Sequence, residues 1–192
     1  ITSYIGYRHG DVDTLETDGA LSSIKSLPWS LELLERYQDC WEFSLLSRNS
    51  ALPWSLELIE RFIDNSNKPT IDIDFGGQEK TWAWEGLSAN KGLPWSLELI
   101  GCYEDSWDWG HLSNNEALPW SLALIERYED RWDWRCLSLN KGLPWSLALI
   151  ERYEDRLDWG QLSENESLPW SVEMLGRYEH LLDWTHLSRN GG

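Results

Sequence analysis

Two sets of polar residues recur at a fixed interval in this chain, and each is of a type that can do chemistry. The acids Glu129, Asp130 and Asp133 return as Glu154, Asp155 and Asp158. Paired carboxylates suit glycoside hydrolysis or metal binding. A catalytic pair is normally a single constellation, however, and this one is copied unit after unit. It reads as a solvated acidic face, partly balanced by Arg127 and Arg152, or as a ridge of regular negative charge that imitates a phosphate backbone.

The second set pairs a serine with an asparagine two positions on: Ser47 and Asn49, Ser88 and Asn90, Ser113 and Asn115, Ser138 and Asn140, Ser163 and Asn165, Ser188 and Asn190. Helical RNA-binding arrays read bases with such repeated pairs, but their surfaces are basic and these flanks are acidic. The expectation here is structural. Asn ends a short helix in a left-handed conformation or ladders between units, and Ser satisfies a local backbone group.

Other candidates are weaker. Asp72, Asp74 and Gly77 resemble the first half of a calcium loop, but Gly76 stands where a third oxygen ligand belongs and Ala83 where the bidentate Glu should be. Alternation of Ile71, Ile73 and Phe75 with Asp72 and Asp74 reads better as a short strand. His9, His111, His180 and His186 share no metal spacing, and Cys40, Cys102 and Cys136 fall at three different places and read as small apolar substitutions. No Ser-His-Asp order, nucleophile elbow or phosphate-cradling glycine loop is present. No catalytic, cofactor-binding or metal-binding residue is assigned, no cofactor is expected, and the chain is expected not to be an enzyme.

The elements that carry these residues follow from a repeat. Leu-Pro-Trp-Ser begins at Leu27, Leu52, Leu93, Leu118, Leu143 and Leu168, so five intervals are 25, 41, 25, 25 and 25 residues. Such periodicity is the signature of a solenoid, and the fold expected is an all-α solenoid of about six helix-pair units filling 27–192. A degenerate partial unit or cap occupies 1–26, where Leu21 and Ser22 echo the repeat and Ile24 replaces the Asn. The long interval holds a sixteen-residue insertion around 65–81, loop-like or β-like, and it is where partner specificity is expected.

Within a unit, Pro119 fits a first helical turn, and helix A is expected over 119–131 with Trp120, Leu124, Ile125, Tyr128 and Trp132 on one stripe. Asp133 stands at an N-cap, and Trp134 and Leu137 begin a short helix B closed by Asn140 and Gly142. A 25-residue hairpin has one inner surface, so neighbouring units must cover its indoles. That explains 15 Trp in 192 residues and argues against a row of exposed rings for stacking on sugars.

The segments Asp108, Trp109, Leu112, Ser113 and Asn115, and Asp133, Trp134, Leu137, Ser138 and Asn140, resemble the DWxxLSxN units of uncharacterised tandem repeats in giant-virus and some bacterial proteins. The resemblance implies an α-helical repeat array and brings no assigned activity.

Charge and composition bound the partners. With 33 acidic and 16 basic side chains the formal charge is −17, which disfavours nucleic acid and anionic membranes. There is no 18-residue apolar run and no signal-peptide pattern, and three cysteines make no disulfide framework, so a cytoplasmic, reducing setting is expected. A first residue other than Met suggests a processed chain or fragment, and the last unit reads as an uncapped end. The function expected is a protein-binding scaffold. Alternatives are head-to-tail self-association into filaments and an acidic mimic that blocks a nucleic-acid-binding protein.

Overall fold

A computed structural model describes residues 20–63 and 81–191. The expected insertion, including the strand reading of 71–75, lies outside them but for Thr81, as does 1–19 of the N-terminal segment. The described residues are all-helical, without strands, and form a solenoid-like stack. Helix A of successive units is α2 (Leu31–Arg36), α4 (Leu56–Arg61), α6 (Leu97–Cys102), α8 (Leu122–Arg127), α10 (Leu147–Arg152) and α12 (Val172–Tyr178). Helix B is α1 (Ala20–Ser23), α3 (Phe43–Arg48), α5 (Trp84–Ala89), α7 (Trp109–Asn114), α9 (Trp134–Leu139), α11 (Trp159–Glu164) and α13 (Trp184–Leu187). Each helix B packs on the helix B before and after it, giving the array its spine.

Helix A is shorter than the sequence predicts at both ends. Pro119 does not open it. Leu118, Pro119 and Trp120 form a three-residue turn in which Trp120 N–H donates to the Leu118 carbonyl at 2.7 Å, and the same turn recurs at the other five motifs. Proline's fixed φ suits the centre of such an inverse γ-turn. Ser121 then caps the helix, its Oγ accepting from Leu124 N–H at 3.2 Å, as Ser30, Ser55, Ser96, Ser146 and Ser171 do in their units. At the other end the chain leaves the helix after Arg127, and Trp132 folds back so that its indole N–H donates to the Ile125 carbonyl at 3.1 Å. That carbonyl is one of the groups a helix end leaves unsatisfied.

Helix B starts as predicted, with Asp133 Oδ1 accepting from Cys136 N–H at 3.0 Å, and Asp108 and Asp158 cap likewise. Glu42 and Ala83, at the corresponding positions of the first two units, make no side-chain cap. Its end differs from expectation. Asn140 has φ −69° and ψ 118°, extended and not left-handed. The predicted apolar stripe is buried: Leu124, Ile125, Tyr128 and Trp132 are core residues and Trp120 is half-covered.

Candidate interaction surface

The structure brings the recurrent Ser and Asn together across unit boundaries. Ser113 is fully buried. Its hydroxyl donates to the Trp109 carbonyl at 2.6 Å and accepts from Asp133 N–H of the next unit at 2.9 Å, while its carbonyl accepts from Asn140 Nδ2 at 2.8 Å. The other face of the Asn140 amide accepts from Gly142 N–H at 2.8 Å, and its own carbonyl accepts from the Trp145 indole at 2.9 Å. The ladder explains the extended backbone of Asn140: the side chain must point at the preceding helix B. It starts at Ser22, which accepts from Glu42 N–H and bonds Asn49 through its carbonyl, and ends at Asn190 on Ser163. Across the long interval the sequence separations rise from 20 to 36 and from 27 to 43, sixteen residues each time, so the insertion leaves the register intact.

Indoles complete the lattice. Trp109 of one unit lies 4.9 Å from both Tyr128 and Trp132 of the next, edge-on to the latter, and Trp120 lies 5.0 Å from Trp132. Centroid spacings in this range are those of favourable aromatic pairs. Their N–H groups donate to main-chain carbonyls, Trp109 to Glu104 and Trp120 to Asn115, both at 3.0 Å. The rings are therefore walls of the core, with edges and faces already engaged.

The recurrent acids do not act together. Asp133 and Asp158 are caps. Asp130 pairs with Arg156 at 2.6 Å, and that guanidinium also donates to the Glu129 carbonyl and covers the Trp134 ring at 5.3 Å. Arg131 repeats the arrangement on Asp105, Glu104 and Trp109. On helix A, Arg152 pairs with Glu126 at 2.8 Å, Arg61 with Glu35 at 2.7 Å, and Arg177 with Glu151. Arg127 lies over the Tyr128 ring at 5.2 Å. A third lane joins Lys91 to Glu116 and Lys141 to Glu166.

The remaining candidates are dispersed. His111 sits 3.0 Å from Asp108, His186 sits 3.3 Å from Glu164, and His180 is exposed. Among the described residues no cluster of three or more His, Cys, Asp or Glu could hold a metal ion. Asp72, Asp74 and Gly77 lie outside those residues. All three cysteines are free, and Cys40 and Cys102 are exposed, so these two are not core substitutions: Cys102 takes the outward place that Arg127 holds in α8. No helix of the described residues is long and apolar enough to cross a membrane.

Titration follows the packing. The Asp108 carboxyl is held below the usual range, chiefly by the His111 backbone N–H it accepts, and Asp183 likewise by His186. Burial pushes the Tyr103, Tyr128, Tyr153 and Tyr178 phenols up.

One set of residues escaped the sequence reading. The first residue of helix A stays outward: Leu56, Leu97 and Leu122 are 38%, 42% and 43% exposed and Val172 is 88% exposed. The prolines before them are exposed as well. The available signal was angular, since at 100° per residue Leu122 lies about 200° round the helix from Leu124. One such outward apolar residue recurs at the start of helix A in unit after unit.

No family model, no curated protein and no solved structure matches the chain. What stands is the architecture itself: regularly spaced, Trp-containing helices packed as repeats.

Proposed function

We propose that this chain is a non-enzymatic repeat scaffold that binds another protein along its length. The observation that supports this most is the commitment of the recurring polar groups. Serine hydroxyls, asparagine amides, aspartate caps and indole N–H groups bond to the main chain of the array and are not free to handle a substrate. What repeats outward is surface, and repeat arrays use extended surfaces for binding. The likeness to giant-virus and bacterial DWxxLSxN repeats agrees with an array and adds no activity. A cytoplasmic setting accords with three free thiols. The test is capture from host extract with the full chain as bait, followed by cross-linking. Stoichiometric recovery of one protein, cross-linked at several units, is the expected result. Turnover of a substrate by the purified chain, abolished by one substitution, would refute the reading.

A further inference from the structure

We infer that the outward Pro and Leu stripe of helix A is the docking surface for a cationic amphipathic segment of the partner protein, an inference that rests on the scaffold reading and names the face it uses. Six copies of the unit within one chain keep an aliphatic residue at the first position of helix A: Leu31, Leu56, Leu97, Leu122, Leu147 and Val172. The fold does not bury it. Four of the six are exposed and the other two only half-covered. The adjacent position has meanwhile varied between Glu57 and Ala123, so the copies are free to differ here. Apolar residues repeated at one position of every unit, exposed in four of the six, with exposed prolines before them, give the array a recurring apolar face of the kind that marks interaction sites.

Shape and charge specify the occupant. An open cleft of about 280 Å³ lies between Trp29, Ser30 and Leu31 of one unit and Pro53, Ser55, Glu57 and Leu58 of the next, beside the outward Leu56. Glu32, Glu57, Glu98 and Glu173 stand beside Leu31, Leu56, Leu97 and Val172, while Ala123 and Ala148 take that place in the other two units. Apolar tiles rimmed by carboxylates, on a chain of charge −17, complement a helix or strand that sets apolar side chains between Lys and Arg. A second copy presents the same sign of charge and is disfavoured on this face.

The probe is a labelled synthetic amphipathic helix of Leu and Lys, compared with a scrambled peptide of the same composition by fluorescence anisotropy. The full chain should bind the helix more tightly than the scramble, less so at high salt. The combined substitution Leu56→Gln, Leu97→Gln and Leu122→Gln should weaken binding roughly tenfold or more with circular dichroism and thermal midpoint unchanged. Replacing the same three by Met should keep it. Equal binding of the scramble, equal binding by the Gln variant, or no binding overturns the inference, as does dimerisation of the wild type that the Gln variant abolishes. The scaffold reading is judged separately by host capture with both proteins. A partner retained equally by wild type and Gln variant removes the stripe and keeps the scaffold, whereas a partner retained by neither removes the scaffold.

Discussion

Asn140→Ala tests whether the buried ladder holds the stack. The change removes the 2.8 Å bond to the Ser113 carbonyl and the 2.8 Å bond from Gly142 N–H. Ser113 is fully buried, so its carbonyl is left without that partner, at a cost of about 1–3 kcal/mol. Gly142 is exposed and water can replace its bond, so only the net value of about 0.5–1.5 kcal/mol is lost there. The expected destabilisation is roughly 2–4 kcal/mol. Asn190 makes the equivalent bond to Ser163 at 3.1 Å from a half-exposed position, so Asn190→Ala should cost about 0.5–1 kcal/mol. Asn140→Asp keeps the acceptor for Gly142 but turns an oxygen onto the Ser113 carbonyl. The new carboxyl is then favoured in its protonated form by folding. A raised folded pKa gives stability that is present below the unfolded value and lost as pH rises, so this variant should fall below Asn140→Ala at neutral pH and recover in acid. Urea unfolding followed by tryptophan fluorescence gives the energies, and native-state hydrogen exchange locates the break between α7 and α9, because a repeat array transmits stability only through neighbours. Values for Asn140→Ala and Asn190→Ala within about 0.5 kcal/mol of each other would show that the ladder does not hold the units together.

Trp132→Ala should cost about 3–5 kcal/mol, and Trp132→Leu less than half of that, since Leu157 and Leu182 fill the same site at 7% exposure; denaturant midpoints of the two variants decide. Removing Arg156 should lower the melting temperature less than Asn140→Ala does, and only its Asp130 contact should respond to added salt, because exposed pairs are screened while the Glu129 carbonyl and Trp134 ring contacts are not. At alkaline pH the raised tyrosine values mean that folding favours the neutral phenol, so stability should be lost as pH climbs past 10.0, with phenolate absorbance and loss of helix appearing together. At acid pH the lowered Asp108 and Asp183 values act the other way: their contribution is present above the ordinary 3.8 and lost below it, and Asp108→Asn should flatten the acid limb of a stability profile.

The sequence made the period, the two helices per unit, the Asp cap of helix B and the buried stripe legible, because each is a local pattern repeated along the chain, the Asp cap in four units. It misplaced the ends of helix A for two identifiable reasons. Pro119 satisfies the rule for a first helical residue and the rule for the centre of a tight turn, and only the Ser121 cap, two positions later, separates them. The far end is the same in α8, followed by Trp132, and in α10, followed by Leu157, and in both a turn comes next in which Arg131 or Arg156 N–H donates to the Tyr128 or Tyr153 carbonyl at 2.9 Å, a pattern that helix propensity does not contain. Asn140 was open between a left-handed helix end and a ladder, and the carbonyl of Ser113, 27 residues earlier, decided for the ladder. The exposed Leu56, Leu97 and Leu122 lie off the stripe that Trp120, Leu124 and Tyr128 mark, and their place at the start of helix A shows only once Ser121 is seen to be its cap.

So short a unit is viable because one residue type meets two needs. An indole contributes a large apolar face and also a donor, and a helix of six residues has more unsatisfied carbonyls than satisfied ones. In α8 the Ile125 carbonyl takes the Trp132 indole, and the helix stops. The main chain can share that acceptor: Ile59 takes both the Trp82 indole at 2.9 Å and the Phe62 N–H at 3.4 Å. With Leu157 in place of Trp, Ile150 accepts from Tyr153 N–H at 3.3 Å, and with Leu182, α12 runs one residue further, to Tyr178. The indole thus adds a bond at the helix end and brings the next helix back over the core. The high tryptophan content follows from compressing a helix pair into 25 residues: Trp132 bonds a carbonyl at a helix end, and Trp109 walls the junction to the next unit.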